Sequence, residues 1–202
     1  MRWRNQLNKA VQHPDLECKV PRAAVLGVGS QLHGDDAAGV MIARALKQNA
    51  IFGERLLVIN AGIALENKLG DLRTFNPDLV LIIDAAQMGL EPGSVRCIDP
   101  RKTIGLSFST HTLPLRVLCG YISHEIGSQV TILGIQPQNV SFGAALSPRV
   151  KESLGIVFPA LVEILKPIIQ PTEYFGVQEE YFMINKFPAV NITGCRPDNR
   201  SV

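Results

Sequence analysis

The stretch AAVLGVGSQLHGDDAAG, residues 23–39, decides the fold. An apolar run from Ala23 to Val28 is interrupted by Gly27 and closed by Gly29, and a short polar turn leads to the adjacent acids Asp35 and Asp36. Beyond them Val40, Ile42, Ala43 and Leu46 recur near helical spacing, while Arg44 and Lys47 are free to face water. This is the order of a strand, a tight turn and a helix that runs to about Gln48, with acid where the helix opens.

Outward from this stretch the same unit repeats. Residues 56–59 (LLVI) form a second buried strand, closed by Asn60-Ala61-Gly62. Leu65, Leu69 and Leu72 then mark one side of a helical segment that Asn76-Pro77 stops. Residues 79–83 (LVLII) are continuous in apolar side chains, the pattern of a strand covered on both faces, and they run straight into Asp84.

A turn-rich link over 88–93 leads to a short fourth strand at 94–98, closed by Asp99-Pro100. That link is too short for a helical crossover, so one strand is expected to run antiparallel. A helix over 113–126 with Pro114 in its first turn and a fifth strand over 129–135 follow. Ser147-Pro148 caps and opens a long helix through Leu165, in which Pro159 is expected to produce a kink or a break.

Strands alternating with helices specify an α/β fold: a three-layer α/β/α sandwich around a mostly parallel, twisted five-stranded central sheet. At 202 residues a single domain over 21–169 accounts for the core. It is flanked by an N-terminal extension, 1–20, expected to be irregular because it is polar and without clear period, and by a C-terminal extension, 170–202. The latter holds Tyr174, Phe175, Tyr181, Phe182 and Phe187, five of the twelve aromatic residues, and is expected to dock on the domain or on a neighbouring protein.

Composition narrows the classes. No apolar run is long enough to span a bilayer, and the first residues lack the apolar core of a secretion signal, so a cytoplasmic location is expected. The net charge of +2 has no clustered basic stretch behind it, which argues against nucleic acid as a partner. Cys18, Cys97, Cys119 and Cys195 stand too far apart for a zinc knuckle or a redox dithiol; Cys97 and Cys119 read as small core residues.

In doubly wound sheets, ligands bind beyond the carboxyl ends of the strands. Asp36 follows the first strand, Asp84 ends the third, and His111 stands in the loop before the helix at Leu113. Two carboxylates and an imidazole suit a divalent transition ion with coordination positions left open. An acid at a helix start more often caps the helix, and a lone histidine beside Ser and Thr is more often hydrogen-bonded at the surface. Two acids in a row exceed what a cap requires, and a charge at the end of a core strand needs a partner to offset its desolvation. Asp35 is the better candidate for supporting the turn.

The glycine turn does not fit a dinucleotide site. Its third glycine comes too late, and acid stands where a pyrophosphate needs backbone donors. Neither a Gly-x-Ser-x-Gly elbow nor a His-Glu-x-x-His zinc motif is present. His33, in the turn before the acids, is the only remaining histidine near enough to matter.

Val25-Leu26-Gly27-Val28-Gly29, Gly34-Asp35-Asp36, Gly39-Val40, Ile83-Asp84-Ala85, Asp99-Pro100, Thr110-His111 and Gly134-Ile135-Gln136-Pro137 together resemble the [NiFe]-hydrogenase maturation endopeptidases, closest to the hydrogenase 3-type branch. The resemblance implies an aspartic-type processing peptidase that removes a C-terminal peptide from the hydrogenase large-subunit precursor after nickel insertion. It implies Asp36, Asp84 and His111 as the catalytic and nickel-contacting residues, with the nickel presented by the substrate and not held by the free enzyme. It also implies a monomer that does not insert in the membrane. Where the family commonly has Asp-Gly-Gly after the second strand, this chain has Asn60-Ala61-Gly62. That departure keeps open an alternative, a nickel-dependent checkpoint or chaperone that binds the large subunit without cutting it.

Overall fold

A computed structural model describes residues 2–11, 21–49, 51, 53–102, 107–108 and 114–169. Five strands form the central sheet: β1 (Ala23–Val28), β2 (Leu56–Gly62), β3 (Leu79–Gln87), β4 (Val95–Ile98) and β6 (Gln129–Ile135), in the order β2-β1-β3-β6-β4. A two-residue strand, β5 (Ser107–Phe108), pairs antiparallel with the end of β3. The pairs of β1 with β2, of β1 with β3 and of β3 with β6 are parallel, and β4 alone on the main path is antiparallel, as the short link before it requires.

Two apolar layers sandwich this sheet because its strands alternate their side chains between faces. Val25, Leu79, Leu81 and Ile83 pack with α2 (Ala38–Gln48) and α5 (Pro148–Leu165). Leu26, Val80, Ile82 and Ile132 pack on the other side with α3 (Leu69–Phe75) and α4 (Leu115–Tyr121). The three-layer sandwich expected from the alternation is the observed architecture.

The N-terminal segment corrects the expectation of an irregular extension. Residues Arg2–Val11 form a helix, α1, that packs on β4 and α5. Trp3, Leu7 and Val11 are its buried residues, spaced by four, so its apolar stripe is one residue wide amid polar neighbours. That narrowness hid the period. Cys97 donates its thiol to the Trp3 carbonyl at 3.4 Å, and Arg4 pairs with Glu163 of α5 at 3.3 Å.

Three boundaries also differ. Pro114 occupies the cap position before α4 and not its first turn, and the last residues of the expected helix, Ile122–Ile126, form a π-helical turn that ends at Gly127 with φ of 80°. Helix α5 is not interrupted at Pro159: Phe158, Ala160, Leu161 and Val162 are buried around it, so packing holds the segment helical despite the missing donor. Strand β3 continues three residues past Asp84, because β6 and then β5 pair with it beyond the end of β1. The C-terminal extension, Cys18, Cys195 and His13 lie outside the described residues.

Gly27 and Gly39 bring the two halves of the opening stretch together. A Cβ at Gly27 would strike the Gly39 carbonyl, and one at Gly39 would strike the backbone carbonyls of Ile83 and Val28. Helix α2 therefore lies backbone to backbone on β1 and β3, which places its first turn over the carboxyl edge of the sheet.

Candidate active site

The 3₁₀ turn Gly34–Ala37 that precedes α2 carries Asp35 and Asp36, and both side chains are completely buried. Asp36 lies over the end of β1: a Cβ on Gly29, whose φ is 123°, would meet the Asp36 backbone. Only a glycine accommodates both that backbone conformation and that approach. The Asp36 Oδ2 accepts a hydrogen bond from the Ser30 backbone N–H at 2.7 Å. The Asp36 carboxylate is thus covered and held by a backbone donor.

Asp84 is also completely buried. The last β1 residue paired with β3 is Gly27, opposite Ile83, so Asp84 sits where β1 ceases to flank β3. On its other side it is in register with Gly134 of β6. The turn that holds Asp36 packs against β3. Two buried carboxylates are therefore brought to one edge of two adjacent parallel strands. By strand alternation Asp84 shares the face of Val80, Ile82 and Ala86, the face on which α4 lies. His111, four residues before α4, lies outside the described residues. Among the described residues no group of three or more His, Cys, Asp or Glu side chains could hold a metal ion.

Asp35 has a different environment. Its Oδ2 accepts from the backbone N–H groups of Gln138 at 2.7 Å and Asn139 at 2.9 Å, and its Oδ1 from that of Ser147 at 2.7 Å. Ser147 is the N-cap of α5, its hydroxyl accepting from the Val150 N–H. One carboxylate thus ties together the start of α2, the loop after β6 and the start of the longest helix. The reading of Asp35 as a support for the turn holds, with a reach of 112 residues along the chain.

Gln136 was quoted in the sequence only as part of a motif, and the structure gives it a task. It is buried, its Oε1 accepts from the Met88 N–H at 2.7 Å and the Leu90 N–H at 3.3 Å, and its Nε2 donates to the Gln87 side chain at 2.8 Å. It fixes the link between β3 and β4 at the edge where Asp84 stands. The signal was available: Gln136 follows an apolar strand, as Asp84 follows the apolar core of β3. His33 contacts Ser30 Oγ through Nδ1 at 2.9 Å and meets the Phe142 ring edge-on, with centroids 5.4 Å apart. Asn60 closes its own turn by accepting from the Gly62 N–H at 3.1 Å.

Two buried acids thus stand at the carboxyl edge of a mostly parallel α/β sheet, the edge at which doubly wound proteins bind their ligands. Comparison with known proteins makes the class specific. Residues 40–164 match the family model for hydrogenase maturation protease, HycI. The hydrogenase 3 maturation protease of Escherichia coli K12 is 36% identical over 138 residues, which span 68% of this chain and 86% of that protein. Among solved structures, the [NiFe] hydrogenase maturation protease HycI of Thermococcus kodakarensis KOD1 superposes with a TM-score of 0.67 at 36% identity, covering 72% of this chain and 93% of that one. The hydrogenase maturating endopeptidase HybD of E. coli superposes with a TM-score of 0.58 at 26% identity. This chain belongs to the hydrogenase maturation protease family.

Proposed function

We propose that this protein is the endopeptidase that removes a C-terminal peptide from the precursor of a [NiFe]-hydrogenase large subunit once nickel has been inserted. The observation that supports this reading best is the pair of buried carboxylates at the carboxyl edge of two neighbouring parallel strands, Asp36 in the turn after β1 and Asp84 in β3 just past the last residue paired with β1, in a chain of this family. With His111 they supply two oxygen donors and one imidazole, a set suited to a borderline divalent ion whose remaining ligands come from elsewhere. The nickel arrives as part of the substrate, and the three residues complete its coordination; cleavage then depends on the metal having been loaded. The enzyme is of the aspartic type, acting as a cytoplasmic monomer. Among the described residues no helix is long and apolar enough to cross a membrane.

The roles of the chain's own residues follow from their settings. Ser30 N–H orients Asp36, and Gly29 and Gly39 admit it to the edge of the sheet. Asp84 is held within a strand paired to β6, in register with Gly134. A buried carboxylate adjoining a substrate-borne cation serves to position the tail or to take a proton from water.

The test is to incubate the protein with nickel-loaded and nickel-free precursor and to follow precursor mass. Loss of a C-terminal peptide from the loaded form alone is the expected result. Precursor that is bound but never shortened would instead establish the non-cleaving checkpoint, and no interaction with either form would overturn both readings.

A further inference from the structure

Among the described residues five large apolar side chains are exposed: Leu32, Ile63, Val117, Phe142 and Ile156. Leu32 follows β1, Ile63 follows β2 and Phe142 follows β6, so these three stand at the carboxyl edge of the parallel sheet, the edge that carries Asp36 and Asp84. Val117 is in the first turn of α4, the helix that descends to the start of β6, and so begins at that edge as well. Ile156, midway along α5, is the exception.

The loops that bear Leu32, Ile63 and Phe142 are joined to one another. Gly29 N–H donates to the Gly62 carbonyl at 2.9 Å, Gly143 N–H to the Leu32 carbonyl at 2.7 Å, and Asp35 N–H to the Asn139 carbonyl at 2.9 Å. The Asp35 carboxylate holds both ends of the loop 138–147, and the Phe142 ring is oriented by its edge contact with His33. Phe142 is nevertheless 75% exposed and Ile63 53% exposed. Apolar groups that are fixed in place yet give little to the core are the arrangement of a preorganised contact surface, where little freedom is left to lose on binding.

We propose that Leu32, Ile63 and Phe142 form an apolar rim that docks the polypeptide substrate, receiving an apolar segment of it next to the bond to be cut. The occupant follows from continuity: a protease must lay a polypeptide across its reaction centre, and the rim shares its backbone with that centre, Ser30 being both the donor to Asp36 and two residues from Leu32. The proposal rests on the reading of Asp36 and Asp84 as that centre. Asp35 enters as the anchor of the rim, not as a reacting group.

The experiment compares Phe142→Ser, the Leu32→Ser/Phe142→Ser double variant, and Ile156→Ser as an exposed apolar control away from the edge. With nickel-loaded precursor, the double variant should raise KM about tenfold with kcat within about twofold and an unchanged melting temperature, a loss typical of anchors in a binding surface. The control should leave KM where it was. In parallel, the same changes are placed in an Asp36→Asn background and precursor binding is measured directly, with Kd expected to weaken by a similar factor. An unchanged KM and Kd in the double variant, or an equal effect from Ile156→Ser, overturns the rim. Weakened binding by the double variant with no cleavage by the parent protein would sustain the rim and sink the endopeptidase reading, so the two failures are distinct.

Discussion

Asp35 and Asp36 are neighbours in the chain, equally buried, and carry the same functional group, yet they inhabit different regions. Around Asp35 three backbone N–H groups from two distant segments converge on one carboxylate. The Asp36 carboxylate accepts from the Ser30 backbone N–H of its own turn, which packs against β3 at the edge of the sheet. One acid is consumed by the fold and the other is presented by it. Burial does not separate the two acids in this molecule; the origin of their donors does.

The contrast can be broken most severely at the glycine beneath both acids. Gly39→Ala drives a methyl into the carbonyls of Ile83 and Val28, which are backbone atoms in the centre of the sheet and cannot turn aside. We expect the melting temperature to fall by more than about 10 °C, or folded protein not to accumulate. Circular dichroism with thermal melting checks this.

Next in size, Asp35→Ala removes the acceptor of three buried or part-buried N–H groups. Stability should drop by about 3 kcal/mol or more, seen as a lower denaturation midpoint with an unchanged slope. Asp36→Asn is expected to do the opposite to the fold, because its carboxamide oxygen still accepts from Ser30 and a buried charge is removed. The melting temperature should stay within about 2 °C or rise, while precursor cleavage is lost. If Asp36→Asn proves as destabilising as Asp35→Ala, the distinction between the two acids fails.

The smallest effect concerns two free thiols, Cys119 buried and Cys97 half-buried. Burial pushes the Cys97 thiol up from its ordinary value of 9.0 to about 11 and the Cys119 thiol from the same value to about 12. Below pH 9 both folded and unfolded chains keep these protons and the native state loses nothing. Between pH 9 and about 12 the unfolded chain gives up protons that the folded chain retains, so stability falls as pH rises. Iodoacetamide at pH 8 should leave both residues unlabelled in native protein and label them in denaturant, as peptide mass mapping would report.

Much of this was readable from the residues alone. The run LVLII before Asp84 needs no partner to declare a buried strand, and Ser147-Pro148 states a helix start by local geometry. Asp36 and Asp84 stand out because an acid that follows an apolar strand lies at a predictable edge; Asp36 lies in the turn after β1, and Asp84 within β3 just past the last residue paired with β1. Helix α1 escaped because Trp3, Leu7 and Val11 form a single-file stripe that only the surfaces of β4 and α5 make significant. Phe142 and Leu32 escaped for another reason. An isolated apolar residue in a loop carries no local signal, and the ring that Phe142 meets, His33, is far away along the chain.

Sequence by itself determined the strands and helices of the central domain, the antiparallel sense of the fourth strand and the two acids that follow apolar runs, since all of these arise from short-range periodicity and chain reach. Only the tertiary structure decided which donors hold each acid. The donors that separate Asp35 from Asp36 are backbone N–H groups of Gln138, Asn139 and Ser147, and a backbone N–H is present at every residue except proline. Their identity as partners exists only once the loop after β6 has folded back over the turn between β1 and α2.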